Sequence, residues 1–215
     1  MSRNAYVLTT DRTSQRAIYS KTLLEKVGFN VIFFDVIKHK NKVISNKISM
    51  QSIYVSIYND PTSDWSYVFE DDIDLLEEIT LSEIIEYEKI SDKIMYLGCC
   101  RWKFGGPYDI NNDPNLVKTD HIINTHPVCR ISGKTRGLHA IGLSPAGCKE
   151  LLNFSINIAP NEMITPDQHK YMDCILEKFI EKNPANVIRH DLESDIEGHR
   201  GIFFQNRNKF GSSIH

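Results

Sequence analysis

The chain has 215 residues, of which 25 are lysine or arginine and 28 are acidic, giving a formal net charge of -3. This length supports one sizeable core, so we expect a single domain over residues 1–215, either alone or within a longer protein. The balanced charge argues against nucleic acid as a partner, and no apolar run is long enough to predict a transmembrane segment.

The N-terminal half alternates between strand and helix patterns. "NAYVLTT" (4–10) is typical of a strand that ends in a polar loop, and "FNVIFFDVI" (29–37) predicts a strand buried on both faces. Between them, residues 14–28 form a helical pattern with Ser14 as N-cap and Gly28 at its end. A second helix is predicted over 46–60, a strand over 65–75, and a helix over 80–90 capped by Thr80 or Ser82.

The C-terminal half begins with a predicted strand over 93–100, followed by a long irregular loop over 101–127. A strand and a helix follow over 135–154, with Ser144 as cap and Pro145 at the first helical position. We predict another helix over 165–183, a last strand over 185–191 and a polar tail. Together the patterns predict an α/β fold with a mostly parallel central sheet flanked by helices.

The five cysteines are an odd number, include the adjacent pair Cys99 and Cys100, and form no CxxC motif. This usage predicts reduced thiols and a cytoplasmic or similarly reducing setting.

The strand pattern over 65–75 ends in four acidic residues within five positions: Glu70, Asp71, Asp72 and Asp74. In an extended chain Asp72 and Asp74 share one face. Two carboxylates about 5 Å apart repel by roughly 3 kcal/mol at an effective dielectric near 20, and a bound cation reverses that cost. Mg²⁺ and Mn²⁺ favour such oxygen ligands and add oxygens from substrate phosphates. The alternative is a solvated loop or a set of first-turn helix charges.

Several segments resemble a known family. "VFEDDIDL" resembles the metal-binding DXD strand of GT-A-fold glycosyltransferases, and residues 5–37 look like the opening of the lipooligosaccharide and collagen galactosyltransferase group. "TRGLHAIGLSPAGCKELL", "TPDQHKYM" and "SDIEGHRGIFFQ" are similar to later elements of that group, in the same order. The compact length also resembles glycosyltransferase domains of capsid-glycan enzymes of large DNA viruses, notably a chlorovirus. The resemblance implies a single GT-A-like domain, and the host cytoplasm if the protein is viral.

The resemblance implies that Asp72 and Asp74 bind Mn²⁺ or Mg²⁺ and, through it, the donor diphosphate, while Asp71 and Glu70 orient ribose or backbone. Relatives show Glu-Asp-Asp, and the additional Asp74 leaves open which pair holds the ion. GT-A enzymes often add a histidine after a late strand, and the two candidates, with surface histidines as the alternative, are His190 and His199.

At the end of the first strand, Thr9 and Thr10 are predicted to contact the base and ribose of the donor. Arg12 or Arg16 is predicted to contact the diphosphate, and Asp35 to accept from uracil or ribose. The alternative for the threonines and arginines is a plain strand-to-helix loop with a solvated arginine, and the alternative for Asp35 is a structural turn.

Asp167 begins a predicted helix behind Thr165 and Pro166. By resemblance it faces the acceptor sugar, as general base in an inverting reaction or as a positioning group in a retaining one. The alternative is a first-turn charge worth under about 1 kcal/mol. Asp167 and the metal-binding Asp72 are the predicted catalytic residues.

The predicted function is a metal-dependent glycosyltransferase of the hexosyltransferase type. It would move a sugar from a UDP-sugar to a glycan or glycoprotein acceptor, such as a viral capsid protein. One alternative is a metal-dependent phosphohydrolase or phosphotransferase, against which Leu75 and Leu76 count, since an aspartyl nucleophile motif has Thr or Val there. The other alternative is a non-catalytic carbohydrate-binding module.

Overall fold

The computed structural model describes residues 2–60, 64–101, 116–123, 125–132, 135–188 and 199–210. The elements of the first half are β1 (Asn4–Thr9), α1 (Gln15–Val27), β2 (Asn30–Asp35), α2 (Lys42–Tyr58), β3 (Ser66–Glu70), β4 (Ile73–Leu75), α3 (Leu81–Lys89) and β5 (Ile94–Arg101). Those of the second half are β6 (Leu116–Ile123), β7 (His126–Ile131), β8 (Thr135–Leu143), α4 (Pro145–Asn157), α5 (Met172–Lys182), β9 (Ala185–Ile188), β10 (His199–Gly201), β11 (Phe203–Gln205) and α6 (Arg207–Phe210).

The central sheet has the strand order β2-β1-β3-β8-β5-β9-β7-β6, with β10 paired to β5. Strand β1 is parallel to β2 and β3, and β5 is parallel to β9, whereas β8 and β7 are antiparallel to their neighbours. Six of the eight strands in this row therefore run in one direction. The predicted α/β class with a mostly parallel sheet flanked by helices is confirmed.

Helices cover both faces of the sheet, and β1 shows how the sequence assigns the faces. Tyr6 and Leu8 pack into the cluster that also contains the apolar side chains of α2, α4 and α5. Ala5 and Val7 pack into the opposite cluster, with α1 and α3. This is the two-residue alternation of a strand buried on both faces. Within the part of the chain that the structure describes, no helix is both long and apolar enough to cross a bilayer.

The predicted helix ends are largely confirmed. The Ser14 hydroxyl accepts from the backbone of Ala17, and Gly28 ends α1 in the left-handed region with φ 113°. Thr80, rather than Ser82, caps α3 in a reciprocal capping box with Glu83. Ser144 caps α4 with proline at its first position, as predicted. Cys99, Cys129, Cys148 and Cys174 are buried thiols that form no disulfide in the described part of the chain.

Two predicted strands differ from the structure. Residues 65–75 do not form one strand, because Asp71 and Asp72 make a turn that ends β3 and starts β4. Strand β2 is only partly buried, because it lies at the end of the sheet and has a single neighbour. An apolar run alone could not distinguish an edge strand from an internal one.

The regions predicted to be irregular contain regular structure. The segment 101–127 includes β6 and the start of β7, which pair as antiparallel neighbours. The 165–183 helix is divided, because Pro166–Lys170 is a short 3-10 segment and α5 begins only at Met172.

The predicted polar tail returns to the core. Strand β11 pairs with β4, and Ile202 and Phe203 are fully buried. The Phe203 ring lies 5.2 Å from the Phe69 ring, centroid to centroid, which fixes the tail against β3. Gly201 joins β10 to β11 at φ +89°, where an added Cβ would lie 2.4 Å from the Leu97 carbonyl oxygen. Only glycine fits this turn without rearrangement.

A buried ion pair joins the N-terminus to α3. Arg3 donates from Nε and Nη2 to Glu88 at 2.8 and 2.7 Å. The Tyr67 hydroxyl also donates to Glu88, at 2.7 Å. Both charged side chains are less than a tenth exposed, at 9% and 6%. The pair is therefore sensitive to loss of one member.

We expect Glu88→Gln to lower the free energy of unfolding by roughly 3 kcal/mol, because it leaves the buried Arg3 charge with the exposed Asp64 carboxylate, 3.8 Å away, in place of its two-bond partner. Urea denaturation measures this change. In the double variant Arg3→Met/Glu88→Leu, much of the loss should be recovered. The control Glu86→Gln, which removes an exposed partner of Lys89, should change stability by less than about 0.5 kcal/mol. A double variant as unstable as the single one would contradict this account.

Candidate active site

A cleft with about 510 Å³ of empty space opens at the carboxyl ends of β1 and β3. Six residues predicted from the sequence line it: Thr9, Thr10, Arg16, Glu70, Asp71 and Asp72. The other lining residues are Leu8, Val36, Asn46, Gln205 and Arg207. Strand carboxyl ends are where open α/β sheets bind ligands, so the cleft is the candidate active site.

Two hydrogen bonds to backbone carbonyls hold the turn formed by Asp71 and Asp72. The Ser20 hydroxyl on α1 donates to the Asp71 carbonyl at 2.9 Å. The backbone N–H of Asn206 donates to the Asp72 carbonyl at 2.8 Å. These bonds fix the direction in which the side chains of the turn leave the backbone.

Asp71 is a buried carboxylate with both oxygens engaged. Its Oδ2 accepts from the Thr9 hydroxyl at 2.6 Å, and its Oδ1 accepts from the Arg16 guanidinium. Asp71 therefore positions Thr9 and Arg16 at the cleft.

Glu70 and Asp72 share weaker partners. The Gln205 amide donates to Glu70 and lies 3.4 Å from Asp72 Oδ1. Arg16 Nη2 lies 3.5 Å from Asp72 Oδ2. Burial, reinforced by the charges of Asp72 and Asp71, raises the pKa of Glu70 to about 8. Burial also raises the pKa of Asp72, although Arg16 opposes the shift. For this pair, burial outweighs the opposing charges of Arg16 and Arg207.

These carboxylates suit a divalent cation. Within the described ranges, no three acidic, histidine or cysteine side chains converge into a complete set of metal ligands. Mg²⁺ and related ions commonly use only one or two protein carboxylates, with water and substrate phosphates completing the shell. Glu70 and Asp72 are an oxygen donor pair of that kind.

Asp74 does not line this cleft. Its Oδ1 accepts from the Tyr19 hydroxyl at 2.6 Å, and its Oδ2 accepts from the Asn206 amide at 3.0 Å and lies 3.4 Å from Lys209 Nζ. Although burial opposes them, hydrogen bonds from Tyr19 and Asn206 lower its pKa. The prediction that Asp72 and Asp74 share one face assumed an extended chain, but Asp71 and Asp72 form a turn. Asp72 therefore lines the cleft together with Glu70, and Asp74 does not.

Three other predicted residues lie outside the lining of the cleft. Arg12 forms a two-bond pair with Asp35 at 2.7 and 2.8 Å, and both side chains are more than half exposed, at 53% and 64%. Asp167 is exposed and accepts from Lys170 at 2.6 Å, a hydrogen bond that lowers its pKa. Its segment contacts α2, where Lys47 donates to the His169 carbonyl at 2.9 Å.

The two predicted histidine ligands are not placed at the cleft by the described structure. His190 lies outside the described residues. His199 begins β10, but its side chain is likewise outside the described part.

Sequence reasoning missed the contribution of the C-terminal segment. Gln205 and Arg207 line the cleft, and Asn206 holds the acidic turn. The available signal was the apolar run "GIFF" directly before them, which is unusual for a solvated tail. Asn46, on the first turns of α2, also lines the cleft and carried no sequence signal.

No family model and no curated protein matches the chain. Among solved structures, A197 from STIV is similar over 86% of this chain and 81% of its own, with 11% identity and a TM-score of 0.43. A glycosyltransferase involved in glycosylation of the major capsid of PBCV-1 matches 78% of this chain and 74% of its own, with 11% identity and a TM-score of 0.39. A mutant Drosophila β-1,4-galactosyltransferase 7, in complex with manganese, UDP-Gal and xylobiose, matches 99% of this chain and 75% of its own, with 9% identity and a TM-score of 0.36. Structural neighbours of the chain thus include glycosyltransferases.

Neutralising Asp72 and neutralising Asp74 should have different effects on the free energy of unfolding. Asp74→Asn should lower the free energy of unfolding at pH 7 by about 1–2 kcal/mol, because hydrogen bonds to a charged acceptor are lost. Asp72→Asn should leave stability unchanged or raise it, because it removes a charge from a crowded, buried cluster. Urea denaturation without added metal distinguishes them, and a larger loss in Asp72→Asn would refute this reading.

The same assignment predicts a dependence on pH. The lowered pKa of Asp74 contributes stability that is present above its unfolded value and is lost as pH falls through the folded value. The stability difference between the native chain and Asp74→Asn should therefore shrink on acidification.

Proposed function

We propose that the chain is a metal-dependent glycosyltransferase that moves a sugar from a nucleotide-diphosphate donor, a UDP-sugar, to a glycan or glycoprotein acceptor. The observation that carries the proposal is the pair of adjacent carboxylates, Glu70 and Asp72, that line a cleft at the carboxyl ends of β1 and β3. The resemblance of "VFEDDIDL" to the DXD strand of such enzymes supports the choice of donor.

Glu70 and Asp72 would hold the Mn²⁺ or Mg²⁺, with Asp74 supporting the turn from behind. His190 and His199 are the proposed additional ligands. When bound, the metal would neutralise charge on the diphosphate leaving group as the bond to the anomeric carbon breaks.

The remaining cleft residues would bind and orient the donor. The guanidinium groups of Arg16 and Arg207 supply donors for diphosphate oxygens. Thr9 and Thr10 would contact the base and ribose, and the apolar side chains of Leu8 and Val36, which also line the cleft, would exclude water there.

Asp167 is the residue proposed to act on the acceptor sugar. Its carboxylate is the proposed base or positioning group for the attacking hydroxyl. It projects from the segment that contacts α2, the helix that also contributes Asn46 to the cleft. In a working complex its bond to Lys170 would have to yield to the acceptor.

The test is thermal shift with Mn²⁺ and a panel of UDP-, GDP- and CDP-sugars. Stabilisation should require both metal and nucleotide, and a ligand at one hundred times its Kd adds about 2.7 kcal/mol. Asp72→Asn should abolish this increment while the fold remains intact. The matched control Asp74→Asn removes the same charge two positions away and should retain most of it.

Each competing function gives a different result. A phosphohydrolase would turn over a generic phosphate ester without any sugar nucleotide. A passive carbohydrate module would bind glycan without metal. A full increment in Asp72→Asn would reject the site assignment itself.

A further inference from the structure

We propose that Arg16 is an internal counterion of Asp71 and Asp72. A divalent cation that binds Asp72 would displace the Arg16 guanidinium from it and turn that group toward the diphosphate. The inference rests on the proposed metal site and adds a coupling between metal and anion binding.

The first observation is the position of the charge. Arg16 donates from Nη2 to Asp71 Oδ1, and the same nitrogen lies 3.5 Å from Asp72 Oδ2. The Arg16 side chain is only 16% exposed, and those of Asp71 and Asp72 are 8% and 5% exposed. In this arrangement one guanidinium serves two buried carboxylates.

The second observation is that Arg16 is held by fewer hydrogen bonds than Arg3 and Arg12 are. Arg3 and Arg12 each bind one carboxylate through both Nε and Nη2. In contrast, Arg16 Nε is buried and has no hydrogen-bond partner within the described part of the chain. Since a two-bond pair is the stronger and more rigid arrangement, Arg16 is the easier of the three to reorient.

The contacts indicate that Arg16 would leave Asp72 and stay bonded to Asp71. A cation held by Asp72 would be repelled by the Arg16 guanidinium, which lies 3.5 Å from that carboxylate. Asp71 has its other oxygen fixed by Thr9, so it can retain Arg16 while Asp72 releases it. Arg16 would then pivot on Asp71 and present its unused N–H groups to the cleft.

Metal and diphosphate would consequently assist each other. Metal binding alone is opposed because it must displace Arg16, whereas a diphosphate gives the displaced guanidinium a partner. By linkage, the metal must raise the affinity for diphosphate by the same factor.

The experiment measures Mn²⁺ binding by electron paramagnetic resonance of the free ion, with and without inorganic pyrophosphate. Arg16→Gln removes the charge but keeps a donor for Asp71. It should bind Mn²⁺ alone about tenfold more tightly than the native chain. Pyrophosphate should enhance Mn²⁺ binding less in this variant than in the native chain.

Arg12→Gln is the matched control. It changes net charge equally and lies four positions earlier in the chain, in the loop before α1, but Arg12 pairs with Asp35 and does not line the cleft. Its Mn²⁺ affinity should equal that of the native chain. Equal or weaker Mn²⁺ binding by Arg16→Gln would overturn the inference.

The native chain provides a second measurement that needs no variant. A crystal structure with Mn²⁺ should show Arg16 separated from Asp72 but still bonded to Asp71. An unchanged contact to Asp72 beside a bound ion would overturn the inference and leave the proposed function standing. Failure of the native chain to bind Mn²⁺, even with pyrophosphate, would instead reject the proposed metal site.

Discussion

Repulsion among three consecutive carboxylates at the end of β3 is the constraint around which the site is organised. Glu70, Asp71 and Asp72 are too close to remain ionised in a partly buried cleft without support. Hydrogen bonds from Thr9 and Arg16 satisfy Asp71, while Gln205 bridges the other two. Glu70 and Asp72 keep raised pKa values, and a bound cation would favour the ionised form of both.

The support comes from distant parts of the sequence. Thr9 and Arg16 belong to the first strand and helix, whereas Gln205 ends the last strand and Asn206 follows it. Packing of Phe203 on Phe69 brings that last segment to β3. The apolar core therefore fixes the polar geometry of the cleft, since small shifts of β11 would move the donors away from the acids.

Local signals in the sequence predicted the parts of the fold that depend on local physics. The Ser14, Thr80 and Ser144 caps follow from side-chain hydrogen bonding within one helical turn, and the strand–helix alternation follows from apolar periodicity. The exposure of β2 could not be predicted, because it depends on which strand ends the sheet.

The site was predictable in composition but not in grouping. Glu70, Asp71, Asp72, Thr9 and Arg16 follow from strand ends and charge. Asp74 is separated from these residues by the turn at Asp71 and Asp72, and a run of acidic residues does not predict such a turn. The roles of Gln205 and Arg207 depend on the return of a segment whose single cue is a short apolar run before it. Long-range pairing of this kind is invisible to any pattern that reads one window at a time.

The pairing of β11 with β4 also determines how late in synthesis the cleft can be completed. The strands that carry the acids emerge from the ribosome early, but their partners Gln205 and Asn206 are translated more than 130 residues later. Until then the nascent chain holds an exposed, self-repelling acidic loop. Translation that stops before this point gives products without the bridging amide, so an interrupted chain does not carry a finished cleft.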